Sequence, residues 1–460
     1  MKLISKIEAA ALYLLSYMDI FSDPYKYSKE LHNYKPHDTH LVRQEFFKKC
    51  LQQYLTEVFG ESFDLKKYDI GNDSVYSIID HHDFLNHPSF IFPNIIGNLF
   101  RFNKNRISDK LNDKPCDKSR AIISITDSGI PADHFGNRRG MRFDGTQFRF
   151  FPHSERHRLS FGASAVTNFN LAEQASVLGF SDEKILFLKE IDSELYDVSQ
   201  NPKVVSFDTQ ITLTNTALWK RLFSKEFVQY APELFHVSGE VLVSSMLQTY
   251  LKDEHNMFYG ILFDKQKREH TIKLFDKISG CWEIHDDYVH SDDVSKNGVR
   301  KDKGTHFFWA VNNKGNSERL RLEDNVLVNA DRTICIGLTP EDIIESLISR
   351  RIYPGLFLVY SILVFYCGIK PLTGGRSTEV LVAMKEKWLI MESNQEKTLI
   401  QNIPVNNPVQ YSYNDDYCLD LIYKNKLSLQ YLRRCEVVRL NSARISKIKV
   451  LFRKLKGNKI

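Results

Sequence analysis

Two short apolar runs, each ending in a loop crowded with acids and imidazoles, limit the folds open to this chain more than any other feature. Val75 to Ile79 is β-branched and aromatic, the composition of a buried strand. It ends in Asp80-His81-His82-Asp83 and Asn86-His87-Pro88. The apolar stretch Ile91–Leu99 follows, with Pro93 expected early in a helix. Arg120 to Thr126 is a second such run, and behind it come Asp127-Ser128-Gly129, His134 and Gly136-Asn137-Arg138-Arg139-Gly140. Strand, helix, strand makes a βαβ unit, and parallel strands bring both loops out at one edge of a sheet. The carboxyl edge of an open α/β sheet is where ligands bind. Asp127 and His134 are therefore expected beside His81, His82 and His87, a grouping suited to proton transfer, metal binding or phosphate contact. The plainer reading is that a polar loop after a strand is ordinary, and that a histidine in it is a helix cap or a surface residue.

Charge narrows the class. A net charge of +5 over 460 residues makes no case for general nucleic-acid binding, so the expected partner is a small molecule. The length allows two to three domains or one elaborated unit. The 31 Phe and 21 Tyr favour a packed core over disorder. The seven cysteines include no CxxC pair, which argues against a disulfide framework or a cysteine zinc site, and a reducing cytoplasm fits best. At the N-terminus, Leu3, Ile7, Ala10, Leu14 and Met18 recur at helical spacing and read as an amphipathic helix rather than a signal peptide. The apolar run 355–368 falls short of the roughly 18–20 residues that cross a bilayer and reads as a buried helix. No membrane span is expected.

The remaining segments are read in the same way. Residues 1–70 are expected to be helical, with a first helix stopping near Ser22-Asp23-Pro24 and a second running from Thr39, as N-cap, to Gly60. Residues 103–119 read as a surface connection. The alternating stretch 141–151 leads to His153 and His157 among arginines. Arg138, Arg139, Arg142, Arg156 and Arg158 could hold an anionic substrate or line a solvated strand face. Residues 171–252 are expected to be mainly helical, with Ser238 and Glu240 in a helix-starting turn rather than in chemistry. Met257–Phe263 reads as a strand, 305–322 as a hairpin turning at Asn312-Asn313-Lys314-Gly315, and Thr339-Pro340 as a helix start. Gly374, Gly375, Arg376 and Ser377 precede an apolar-periodic helix whose first N–H groups can receive phosphate or carboxylate, with a tight turn as the other reading. Neither GxxxxGK(S/T) nor GxGxxG occurs. The basic stretch Arg444–Lys459 reads as a final amphipathic helix.

Three stretches together resemble one family, the cysteine-adding enzymes of bacillithiol synthesis. His81-His82-Asp83-Phe84-Leu85-Asn86-His87-Pro88 is similar to that family's Gln-Gln-Pro-Gly-Leu-Phe loop before a helix. IISITDSGIPADH is similar to its strand ending in an acidic, histidine-bearing loop, and GGRSTEVLVAMKEKW to its Gly-Gly-Pro-Gly-Glu helix start. The glutamine pair is replaced by histidines and Pro-Gly by Arg-Ser-Thr. The resemblance implies a Rossmann-like core with inserted segments, related to nucleotidylyl-transfer enzymes.

The expected fold is α/β: a helical N-terminal segment (1–70), a Rossmann-like, mostly parallel core (71–254), an antiparallel β insert (255–335) and a helical C-terminal part completing the core (336–460). The expected function is a cytoplasmic ligase or transferase joining small polar metabolites, with a nucleotide as candidate cofactor. His81, His82, His87 and Asp127 would be catalytic. Asp83, Asn86, Ser128, His134, Arg138 and Arg139 would contact substrate. Gly374, Gly375, Arg376 and Ser377 would bind an anion. No metal ligand set is assigned. The alternatives are a metal-dependent hydrolase using the same loops and a non-catalytic small-molecule-binding protein with an enzyme-like fold.

Overall fold

The computed structural model describes residues 18–21, 24–70, 75–77, 81–102, 119–131, 133–134, 138–161, 163–278, 280–283, 303–373, 375–406, 410–411, 416–425, 427–428 and 437–440. The helix expected before residue 18, the connection 103–118, the loop 291–302, Gly374 and the basic stretch 444–459 lie outside them.

Helix α1 is Asp38–Phe59. His37 caps it, its Nδ1 accepting from Thr39 N–H at 3.1 Å, so the cap is His37 rather than Thr39. Strand β1 is Val75–Ser77 and α2 is Pro88–Gly97. Pro88, not Pro93, occupies the first turn of α2, where a missing N–H costs nothing; Pro93 sits inside the helix. Strand β2 is Ser119–Thr126, and β3 (Gly140–Phe143) and β4 (Thr146–Arg149) form an antiparallel hairpin. Helix α3 is Phe207–Arg221, β5 is Glu233–Ser238 and α4 is Gly239–Tyr250. Strands β6 (Phe308–Val311) and β7 (Ser317–Arg319) make the expected hairpin, and β6 pairs on its other side with β8, Ile352–Pro354. Strand β9 is Lys370–Leu372, α5 is Gly375–Met391 and α6 is Cys418–Lys424.

The sheet that matters is parallel. Its order is β9-β1-β2-β5, with the short strand Tyr68–Asp69 alongside the start of β2. Side chains along β2 alternate between two cores, as a period of two requires. Ala121, Ile123 and Ile125 join Phe235 and Val237 on one face, with α1 and α4 packed over them. Ile122 and Leu234 face the other, under α2 and α3. Further along that second face the pairs turn polar, Ser124 beside His236 and Thr126 beside Ser238. The first core is continuous from Phe47 through Ile125, Phe308 and Ile336 to Trp388, so it draws on all four expected segments.

Two further expectations are overturned. Met257–Phe263 is a helix, N-capped by Asn256 through Phe258 N–H; its Phe258, Gly260, Ile261 and Leu262 are buried, and burial on a helical face overrides its strand-like composition. Met18–Phe21, at the end of the expected first helix, is a strand antiparallel to Val437–Leu440, and a helix follows at Pro24–Leu31. Residues 355–368 are buried as expected, through a short α-helix and a π-helical turn. Among the described residues no helix is long and apolar enough to cross a membrane.

Ile125 is 1% exposed and Val42 is 74% exposed. Ile125→Ala is expected to cost about 2–5 kcal/mol by transfer and cavity formation. Val42→Ala should stay within about 0.5 kcal/mol. Chemical denaturation of the two variants measures the contrast.

Candidate functional site

The two acid and imidazole loops meet at the carboxyl edge of this sheet. Beyond β1, His81 forms a parallel bridge with Asp127, and His82 N–H donates to the Asp127 carbonyl at 2.9 Å. The His134 ring stands edge-on to that of His81 with centroids 4.3 Å apart, and its Nε2 lies 3.4 Å from Asp83 Oδ2. Phe90, at the start of α2, has the rings of His81, His87 and His134 around it at 5.4, 5.6 and 6.1 Å. Burial, then the neighbouring His134, hold His81 down at about 4, against the opposing pull of Asp127 and Asp83. His81 is therefore a neutral imidazole at physiological pH.

Three residues expected at this site serve the scaffold instead. His82 is 1% exposed. Its Nε2–H donates to the Asp208 carbonyl at 3.0 Å, its Nδ1 lies 2.8 Å from Thr126 Oγ1, and its ring stacks on His236. Burial lowers its pKa, and with both nitrogens engaged it is a core histidine rather than an acid–base group. His87 is the N-cap of α2, its Nδ1 accepting from Ser89 N–H at 3.1 Å. Asn86 is fully buried, its Oδ1 accepting from Arg142 N–H and its carbonyl from Cys418 N–H, so it ties the loop to β3 and α6.

A residue with no outward sign in the sequence takes their place. Glu240 does lie in the first turn of α4, with Ser238 as its cap, yet it also closes the site. Its Oε2 accepts from Ser128 N–H at 2.7 Å and Ser128 Oγ at 2.8 Å, and its Oε1 from Gly129 N–H at 3.0 Å. Gly129 N–H also reaches Asp127 Oδ1 at 3.0 Å. A side chain at 129 would put its Cβ 2.8 Å from the Tyr353 ring and 3.2 Å from Glu240 Oε1, so only glycine allows this approach. Burial, then the Asp127 charge and a hydrogen bond to Asp127, drive the Glu240 pKa well above its ordinary value. Glu240 is thus held towards its protonated form by burial and by its hydrogen-bonded neighbour Asp127. Two neighbouring acids beside paired imidazoles can both give and take protons.

The flanking candidates divide. Arg138 is exposed, while Arg139 is buried with its Nε 3.4 Å from Asp133 Oδ1; both have positive φ, 48° and 68°. His153, Arg156 and His157 are exposed, the solvated-face reading. Helix α5 starts at Gly375, and the side chains of Gly375 and Arg376 lie outside the described residues. Ser377 is hydrogen-bonded to the buried Tyr360, whose hydroxyl lies within electrostatic reach of Asp127 and Glu240, so the start of α5 does reach this edge. Among the described residues no three His, Cys, Asp or Glu side chains are placed to share a metal ion. No protein-family model matches the sequence, and neither does any curated protein it was compared with.

The buried groups predict an opposed pH response. His32, His40 and His81 are held at about 3, 4 and 4, below the ordinary 6.5. Their stabilisation is complete above 6.5 and is lost as pH falls towards 4, because only the unfolded chain takes up those protons. Glu240, raised above 4.5, does the reverse: its contribution is complete below 4.5 and fades as pH rises. The wild-type melting temperature should fall between pH 6.5 and 4. The advantage of Glu240→Gln over wild type should grow from pH 4.5 upward. Parallel melting curves for the two proteins would contradict the protonated assignment.

Proposed function

We propose that the chain is an enzyme with a Rossmann-like core that joins small polar substrates by proton-coupled ligase or transferase chemistry at the edge where Asp127 and Glu240 share a proton. The observation that carries this reading is the placement of that carboxyl pair against the His81–His134 pair. An acid–base step needs one group able to accept a proton and another already holding one, and the two environments divide those roles here. Asp127, the less buried carboxyl, takes the proton of an attacking amine or hydroxyl. The pair then holds two protons and returns one to the leaving group. His81 and His134 line the approach, and Asp83 orients His134.

The similarity of the His81–Pro88 and Gly374–Trp388 stretches to the bacillithiol enzymes supports a joining reaction and a nucleotide as assisting cofactor. The five described cysteines are free thiols, which supports a cytoplasmic setting.

Untargeted comparison of metabolites in deletion and wild-type cells would reveal the accumulating acceptor. Turnover of that acceptor by purified protein, with and without nucleoside triphosphate, is then the assay. Asp127→Asn and His81→Ala should each lower turnover by roughly 10²–10⁴-fold. Any acid limb from His81 should fall near its lowered value of about 4, rather than in the ordinary histidine range. An accumulating metabolite turned over at full rate by Asp127→Asn would refute the assignment.

A further inference from the structure

The guanidinium of Arg142 stands beside the histidine loop, and among the described residues it has no carboxylate partner. Its backbone N–H binds Asn86 Oδ1 at 2.9 Å, which fixes β3 against the segment leading to His87. Its side chain lies over the Tyr417 ring, 4.8 Å from the centroid, and Nη1 donates to Tyr417 Oη at 3.2 Å. Tyr417 in turn stands edge-on to His87, centroids 5.2 Å apart, and His87 packs on the Phe90 ring that His81 and His134 also touch. One continuous row of rings thus joins Arg142 to the His81–His134 pair.

The neighbouring charges are otherwise spent. Asp144 takes Lys184, Asp416 takes Lys424, and Asp420 accepts from Asp144 N–H and Tyr417 N–H. Among the described residues no carboxylate lies within ion-pair distance of Arg142. A guanidinium carries five N–H donors, and a single side-chain bond uses one of them. The Tyr417 hydroxyl, accepting from Arg142, keeps its own hydrogen to donate.

We propose that Arg142 and Tyr417 form an anion subsite that holds a carboxylate or phosphate group of the substrate while its reacting end lies at Asp127 and Glu240. The subsite extends the proton-transfer reading by assigning the substrate's far end a negative charge. Planar, forked donors suit a carboxylate or phosphate better than a point charge does. The partly buried guanidinium, stacked on an aromatic ring, is already oriented for it.

Titration of the full chain with inorganic phosphate and, separately, with succinate tests the subsite by calorimetry, and the more tightly bound anion tells phosphate from carboxylate recognition. Arg142→Gln should weaken the bound anion by roughly tenfold to a hundredfold, as expected for loss of charged hydrogen bonds. Tyr417→Phe, which keeps the ring, should weaken it less. Arg149→Gln, on the exposed end of β4 in the same hairpin, should bind as wild type. Asp127→Asn should leave anion affinity unchanged, which separates the subsite from the acid–base assignment. No binding of either anion, or equal affinity in Arg142→Gln and wild type, would overturn the proposal. Should Arg142→Gln fail to fold, Arg142→Lys decides instead: it keeps the charge but not the fork, and wild-type affinity in it would exclude forked recognition.

Discussion

The hydrogen bond from His82 N–H to the Asp127 carbonyl carries the pairing of two parallel strands past their regular ends, and the candidate site is built on that extension. It brings the loop after β1 against the loop after β2 at a register that sets His81 beside Asp127. Asn215, projecting from α3, clamps the same loop: its Nδ2 donates to the Asp83 carbonyl at 2.9 Å and its Oδ1 accepts from Leu85 N–H at 2.7 Å. Leaving buried groups of this kind unpaired costs about 1–3 kcal/mol each, so the loop conformation is held by paired backbone rather than by loop composition.

Burial then sorts chemically similar side chains into different roles. His82 and His236 stack inside the core and serve as neutral hydrogen-bonding spacers between β5, α3 and the loop. His87 ends up as a cap. His81 and His134, a few ångströms further out, stay at the sheet edge. Glu240 would be an expensive buried charge, and burial with the neighbouring Asp127 pushes its carboxyl towards the neutral form. The Ser128 and Gly129 N–H groups hold the carboxyls in place. Pre-set donors and acceptors of this kind need no rearrangement when charge moves.

The polar strip along one face of β2 and β5 shows how the site is supported from below. Leu234 beside Ile122 is apolar, Ser124 beside His236 is polar, and Thr126 beside Ser238 leads directly to Ser128 and Glu240. Side chains in register on neighbouring strands share a face, so the strip points from the core interior to the carboxyl pair. The aromatic row from Phe90 through His87 and Tyr417 to Arg142 continues outward from the same edge.

Local pattern was enough for much of this. The β-branched runs read at 75–79 and 120–126, which hold the strands 75–77 and 119–126, the helix ending at Gly60, the hairpin at Asn312–Gly315 and the Thr339-Pro340 helix start all follow from side-chain shape, caps and turn residues acting within a few positions. The convergence of Asp127 and His134 on His81 was also legible, because parallel strands joined through a helix leave little choice of edge. Local pattern failed at Met257–Phe263, where an apolar run of seven fits a strand or a helix and only packing chooses. It also could not say which histidine would stay at the sheet edge, cap a helix or sit in the core, since all three share one loop and differ only in what tertiary neighbours reach them. Glu240 was visible solely as a helix-start residue. Its second role exists because β5 lies parallel to β2 and delivers the first turn of α4 onto Ser128 and Gly129, a contact that no short-range pattern encodes.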